Sequence, residues 1–435
     1  MPASLRSAFP DRHALSRRAL LGGCASALGL AGCESTLPSA AAGRQVTTLW
    51  FTYGGKNREV LEALIARFHE QQRDVWVRAI YQGDYYEGLA KLRVALAAGA
   101  APALSHVVGE VVPYLAEAGV LEPLERYPSL AQIDVVPELG QRGSWRGGAE
   151  KPLVALPFNR STPIAYLNGA LFAEAGLSAP RTWEELEATA LRLTQRTADR
   201  TSRYGFGCPI DWWFWTALVE QAGGSVVEAD GRVSLGDDAG VSALELWQRL
   251  VNRDRTMKPP PGRDYNAWEQ TNQDFLAGRV AMIWTSTAFL KYLEDNARFP
   301  VVAAPLPRKQ RAAVPTGGTH WVLLKSAPEA EKVAAARFLE FMATTPQVID
   351  WSTRTGYIPV TRAAIAALSA RGHYREHPNE RVAVDQLSVA EPWPWSPQLF
   401  RVQREIIQPR LEQAVLASGR ARTLLDEARY LARKT

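Results

Sequence analysis

Three cysteines in 435 residues leave little room for disulfide or zinc chemistry. Two of them, Cys24 and Cys33, fall in the first 33 residues, and Cys208 stands alone in the body. No Cys-x-x-Cys pair exists, which excludes a zinc ribbon and a thioredoxin-type site. Basic residues never run five together, and the formal net charge is only +5. A nucleic-acid binder would gather its Lys and Arg on one face, so no nucleic-acid partner is expected. After residue 33 no apolar run approaches the ~20 residues that span a bilayer. His-Glu-x-x-His, Gly-x-Ser-x-Gly and the Walker loop are all missing. The six histidines are scattered. His373 and His377 lie four apart, but Gly372 and Pro378 crowd that stretch and make it a surface turn rather than a metal site. Gly54-Gly55-Lys56 and Gly147-Gly148 read as turns, and Asp237-Asp238 as a solvated loop pair. Neither cofactor nor metal is implied. A secreted glycosidase or phosphodiesterase stays open as an alternative of another class, because catalytic carboxylates have no universal spacing.

What is present starts with an address. Arg17-Arg18 stands just before the apolar run Ala19 to Gly32, as in a Tat-type export signal. The run is too short, and too rich in Gly and Ala, for a spanning helix. It ends in Leu30-Ala31-Gly32-Cys33, which resembles the lipobox of bacterial lipoproteins, with Cys33 as the acylated residue. Leu21-Gly22-Gly23-Cys24 fits the same short pattern but leaves almost no apolar run after the arginines. Residues 1–33 are therefore read as signal and 34–45, small and polar, as a flexible tether. The body is expected outside the inner membrane, periplasmic or otherwise extracytoplasmic, held by a lipid anchor.

The chain has 46% hydrophobic and 22% charged residues, as in a folded protein rather than a disordered chain. Residues 46–51 read as a strand, 57–72 as a helix with Val60, Leu61, Leu64, Ile65 and Phe68 on one face, and the stretch from Val75 as a second strand. This β-α-β unit makes its strands parallel. The alternation continues through helix 86–98, strand 103–108 and helix 111–118, and implies an α/β layered domain. A second set begins at Leu153. It includes a capping-box start at Thr182-Trp183-Glu184-Glu185 for a helix to about Arg196, an aromatic helix at 212–222 and an apolar strand from Val280. The end of the chain, from about Gln403, reads as amphipathic helix around a break at Pro409. Fourteen tryptophans are many. Trp212, Trp213 and Trp215 cannot all share one helix stripe, so at least one is expected to meet a ligand. An exposed indole stacks on a polyol or sugar face, or attracts a cation such as choline. Trp393-Pro394-Trp395 sits in a Pro-rich loop that can line a cleft.

Several stretches together resemble family 1 extracellular solute-binding proteins of ABC importers, in their glycerol-phosphate-binding branch. They are Gly83-Asp84-Tyr85, Gly99-Ala100-Ala101-Pro102, Leu156 to Pro163, Tyr166-Leu167-Asn168, Phe172 to Leu177, Thr182-Trp183, Gly278 to Met282, Gly317-Gly318 before Trp321, and Thr355 to Thr361. The resemblance implies an α/β, two-lobed periplasmic-binding-protein-like fold of class II. Each lobe is a β-sheet flanked by helices, and a hinge joins the two. Lobe 1 is expected to hold 46–155 and 301–355, and lobe 2 156–300 and 356–435. The ligand implied is sn-glycerol 3-phosphate or a glycerophosphodiester such as glycerophosphocholine, with a neutral mono- or disaccharide as the alternative. The protein would work as a monomer and deliver its ligand to ABC permease subunits with their ATPase. Carried over residue by residue, Tyr85 covers one side of the ligand, Ser161 and Ser286 donate to phosphate, and Gly318 brings its N–H close. Tyr357 bonds from the other side, and Arg401, displaced by one residue, clamps the phosphate. The acid that holds the glycerol would fall at Gly109, with Glu110 next to it. The stacking indole would fall nearest Ile210, with Trp212 and Trp213 just after.

Overall fold

The computed structural model describes residues 37–140, 152–228, 232–260, 264–417 and 419–434. The export signal with Cys24 and Cys33 lies outside the described residues, as does the Gly147-Gly148 turn. Residues 1–42 and 43–435 form two units. In the first, within the stretch read as a tether, Ser39–Ala41 makes one 3-10 turn, closed by the Ala42 N–H donating to Ser39 O at 3.0 Å.

The second unit carries the strands. In chain order they are β1 (Gln45–Phe51), β2 (Val75–Tyr81), β3 (Leu104–Val108), β4 (Leu156–Ser161), β5 (Pro163–Asn168), β6 (Gln195–Arg196) and β7 (Thr201–Arg203). They continue with β8 (Phe206–Gly207), β9 (Met257–Lys258), β10 (Met282–Ser286), β11 (Val301–Ala304), β12 (Val314–Pro315), β13 (Gly317–Leu323) and β14 (Ala390–Glu391). Two five-stranded sheets result, ordered β2-β1-β3-β13-β4 and β11-β5-β10-β8-β9. β1 pairs with β2 in parallel, with Gln45 opposite Val75. The crossover helix Gly55–Gln71 buries the five residues that its spacing selects, Val60, Leu61, Leu64, Ile65 and Phe68. β3, β4, β5 and β10 are buried along their whole length, as strands covered on both faces must be.

Strand direction decides where a site can form. β13 runs antiparallel to both β3 and β4. The ends of β1 to β4 and the start of β13 therefore share one edge of the first sheet. In the second sheet β10 is parallel to β8 and antiparallel to β5, so the ends of β8 and β10 lie beside the start of β5. β4 stops at Ser161 and β5 starts at Pro163. One residue, Thr162, thus carries the chain from one sheet to the other and joins these two edges. The return runs from β11 to β13, past β12, which pairs with β14. The sheets place Leu156–Ser161 with the first lobe and Val301–Ala304 with the second. The first crossing is a single residue between two strands, whereas the return passes through a non-strand segment between Ala304 and Val314.

Three local expectations need correction. The helix Trp212–Gln221 buries all three tryptophans: Trp212 is 9% exposed, Trp213 4% and Trp215 0%. Contact with the helix Asp237–Gln248, β12 and β5 covers it on several faces, and a helix covered all round has no single apolar stripe to respect. Trp215 Nε1 donates to Gly240 O at 3.2 Å, Trp213 Nε1 donates to Thr316 O at 3.1 Å, and Trp212 packs on Trp393 with centroids 5.1 Å apart. The helix from Trp183 stops at Leu193, because Gln195–Arg196 pairs with Thr201–Arg203. Its Thr182 hydroxyl accepts from Glu185 N–H at 3.2 Å, but the Glu185 carboxylate accepts from Arg181 N–H, one residue before the box position. At the C-terminal end Pro409 does not break the helix. A π-helical stretch, Val402–Ile407, precedes it, and the α-helix resumes over Gln408–Leu416. The missing proline N–H is accommodated at that junction.

The lone body thiol, Cys208, is fully buried and contacts Pro209 O at 3.3 Å. Trp215→Ala is expected to cost about 3–5 kcal/mol, as for a large aromatic removed from a close-packed core. Urea unfolding measures it; a loss below ~1 kcal/mol would mean that this helix is not packed as described.

Candidate functional site

β2, β3 and β4, ending at the shared edge of the first sheet, each deliver candidate site side chains there, as ligands sit at the carboxyl ends of strands in α/β sheets. After β2, Asp84 caps the helix Tyr85–Ala97: its carboxylate accepts from Tyr86 and Glu87 N–H, both at 2.8 Å. This capping box fixes Tyr85 and Tyr86 in the first helical turn. After β3, a 3-10 turn over Gly109–Val111 presents Glu110, only 6% exposed. β4 contributes Asn159, Arg160 and Ser161, all buried. Opposite Ser161 and Arg160 stand Gly317 and Gly318 of β13. The register slips between Gly318 and His320, with one extra residue on β4. Such a bulge re-aims the side chains around it.

Asn159 is the gathering point. Its Nδ2 donates to Tyr357 OH at 3.3 Å and to Tyr85 OH at 3.5 Å, and its Oδ1 accepts from Thr319 N–H at 2.7 Å. Tyr357 also stacks on Trp351, with centroids 5.7 Å apart and 11° between planes. Its neighbour Ile358 donates its N–H to Arg160 O at 2.9 Å. Gly318 has φ +91°, and a Cβ there would run into the Asn159 carbonyl oxygen, so only glycine fits. Arg160 is 1% exposed. It donates to Leu139 O at 3.0 Å, Gly318 O at 2.9 Å and the Thr316 hydroxyl at 2.9 Å.

The second lobe faces this edge with Asp211, whose carboxylate caps the tryptophan helix through Trp213 N–H at 2.8 Å. Trp213 lies against Gly317, where a Cβ would press into its ring. It also packs on Trp268, centroids 5.3 Å apart, and Trp268 in turn on Phe289 at 6.3 Å. Ser286 closes β10 opposite Pro163, and its hydroxyl accepts from Ala288 N–H at 3.1 Å, capping the next turn. Arg404 holds its guanidinium carbon 3.3 Å from the Tyr86 ring centroid. Burial pushes the Glu110 carboxyl up to about 7. Arg160 and Arg404 oppose that rise, and the nearby Asp211 adds to it. Burial also pulls Arg160 down to about 10, which leaves it charged at neutral pH.

Tyr85, Glu110, Ser161, Gly318 and Tyr357 thus sit together around Asn159 and Arg160, with Trp213 against Gly317. Ser286 ends the second sheet beside the crossing. Trp212 turns to Trp393 instead. Arg401 stands apart: its side chain is 61% exposed and pairs with Glu405 at 2.7 Å on the outer face of the helix. The guanidinium that faces the site belongs to Arg404, one helical turn on. Sequence reasoning gave no role to Asn159, Arg160, Asp211 or Arg404. Asn159-Arg160 did leave a signal, two strongly polar residues inside an apolar strand. Arg404 left none, because the π-helical stretch shifts the helix face there. Among the described residues no cluster of three or more His, Cys, Asp or Glu is placed to hold a metal ion.

The model of the bacterial extracellular solute-binding protein family matches residues 63–375. The chain belongs to this family. Membership places its work outside the cytoplasm, in solute binding. The family member described here is similar to the sn-glycerol-3-phosphate-binding periplasmic protein UgpB of Yersinia pestis, 24% identical over 408 residues, 87% of this chain and 89% of that one. UgpB of Pectobacterium atrosepticum is 24% identical over 423 residues, covering 89% and 91%. Among solved structures it is similar to UgpB from Mycobacterium tuberculosis in complex with glycerophosphocholine, with a TM-score of 0.77, 24% identity and coverage of 88% and 97%. Maltose-bound MalE3 of T. maritima matches with a TM-score of 0.78, 21% identity and coverage of 89% and 99%. These likenesses establish the two-lobed α/β fold.

The buried carboxyl gives a pH prediction. The folded state keeps a proton on Glu110 that the unfolded chain releases between pH 4.5 and about 7. Its favourable contribution is complete below pH 4.5 and is lost as pH rises through 7. Glu110→Gln removes this dependence. Without ligand, the variant is expected to match the parent near pH 4.5 and to exceed it by up to about 3 kcal/mol at pH 8. Urea titrations at both pH values test it; an equal difference at the two would refute it.

Proposed function

We propose that this protein is the capture component of an ABC importer and takes sn-glycerol 3-phosphate, or a glycerophosphodiester such as glycerophosphocholine, into the cleft between its lobes. The observation that carries the reading is the charge at the cleft floor. Arg160 is buried and charged, and among the described residues no carboxylate lies within ion-pair distance of it. Arg404 stands over Tyr86 at the same edge. A cleft built this way favours an anion. The relatives that span nearly the whole chain, named for sn-glycerol 3-phosphate, support the same class.

In this reading Ser161, Ser286 and the Gly318 N–H donate to phosphate oxygens. Arg404, rather than Arg401, supplies the bidentate clamp. Glu110 receives the glycerol hydroxyls, and Tyr85 and Tyr357 close over the ligand from the first lobe. Trp213 and Trp268 offer an aromatic face that suits a choline head. The lobes close by hinge motion about the crossing. Upstream, Arg17-Arg18 directs Tat-type export and Cys33 carries the lipid that holds the body at the membrane.

A second reading, a neutral saccharide, is favoured by the carboxyls of Glu110 and Asp211 together with the same aromatic face. Thermal shift and calorimetry on the body after Cys33 separate the two. Glycerol 3-phosphate and glycerophosphocholine should raise the melting temperature, and maltose should not. Stabilisation by maltose alone makes the saccharide reading correct, and release of any product in the same mixtures would make the protein an enzyme. Arg404→Ala should weaken phosphate-ligand binding by about tenfold or more, while Arg401→Ala should change it by less than about threefold. For the anchor, Cys33→Ser should move the protein from the membrane to the soluble extracytoplasmic fraction and abolish labelling by a fatty-acid analogue.

A further inference from the structure

Arg160 has properties that ligand contacts alone leave without a purpose. It lies in a strand whose every residue is buried. A buried charge is ordinarily paired with an opposite one, because removal from water is costly. Here three guanidinium N–H groups go instead to neutral acceptors on two segments: Leu139 O on one, and the Thr316 hydroxyl and Gly318 O on the other. A Cβ on Gly109 would lie 3.4 Å from Arg160 Nη1. The guanidinium is therefore wedged between the Gly109–Glu110 turn and the Thr316–Gly318 strand, the two backbone segments that flank the cleft floor.

Two consequences coincide there. Thr316 also accepts from Trp213 Nε1 through its carbonyl, so one arginine sets both the Gly318 peptide and the seat of an aromatic wall from the other lobe. The charge itself is left for something else to meet. The groups facing it are Glu110 from the turn after β3, Tyr85 from the helix after β2 and His320 from β13. Burial and the arginine together hold His320 neutral, so it adds no positive charge. Glu110, the one carboxyl among them, is itself held near half-protonation at neutral pH by burial.

We propose that Arg160 is a specificity-determining and positioning residue: its incompletely compensated charge selects anionic over charge-neutral ligands through space, while two of its three hydrogen bonds fix the Thr316–Gly318 segment. This rests on the glycerol-phosphate reading, and the phosphate, not a protein carboxylate, is the counter-ion the guanidinium awaits. The effect scales with ligand charge, so a doubly charged phosphomonoester gains more than a zwitterionic phosphodiester.

Calorimetry with sn-glycerol 3-phosphate and glycerophosphocholine on three variants tests this. Arg160→Met keeps length and removes charge and donors. Arg160→Gln keeps an uncharged N–H donor group, and Arg160→Lys keeps charge with fewer donors. Loss of the charge is expected to weaken the monoester about 10- to 100-fold and glycerophosphocholine by a clearly smaller factor, with the lysine variant restoring most of the difference. Should the methionine variant fail to fold, the glutamine and lysine variants decide between themselves. Equal losses for both ligands, with no recovery in the lysine variant, make Arg160 structural only and overturn the proposal. If the unaltered protein binds neither ligand, the glycerol-phosphate reading fails first, an outcome distinct from equal losses.

Discussion

Arg160 Nη1 donates to Gly318 O at 2.9 Å across the β4–β13 pair, and the geometry of both lobes is referred to this bond. On one side it stands next to Ser161 and Thr162, where the chain leaves the first sheet. On the other it sets Gly318, where the chain has just returned. Thr162 and Thr287 lock the same corner, with Thr287 N–H donating to Thr162 O at 3.1 Å. A crossing held at so few points lets two sheets act as rigid bodies with little backbone between them to bend. The site then needs no long loops of its own, since its parts are the ends of strands.

Electrostatics reinforces this economy of parts. Arg160, Asp211 and Arg404 come from separate elements, and each influences the protonation of Glu110. Their mutual compensation is incomplete, which suits the proposed ligand that brings charge of its own.

The fold was largely legible in the sequence. The helical spacing from Val60 to Phe68 selected the buried face correctly, and the parallel β1–β2 unit followed from it. What escaped is physical in origin. Periodicity reports which side of an element is buried, so it fails for Trp212–Gln221, an element buried on several sides. Helix phase reports which residue faces a cleft, so it fails where the π-helical stretch Val402–Ile407 resets the phase. The family resemblance pointed to Arg401, whose side chain is exposed and paired with Glu405, while Arg404 stands over Tyr86. Tyr85, Glu110, Ser161, Gly318 and Tyr357, named from the family resemblance, lie together at the sheet edge around Asn159 and Arg160. Asn159, which gathers the two tyrosines, was visible only as polarity in the wrong setting.

The buried thiol of Cys208 has a practical consequence. Burial raises its pKa well above the ordinary value and keeps reagents from it. A body that begins after Cys33 is thus chemically silent toward thiol-directed dyes while folded. One cysteine introduced on the rim of the cleft would then carry a fluorophore at a single position, with no native residue to replace. The molecule is in this sense already prepared as a scaffold for an optical sensor of whatever solute it captures.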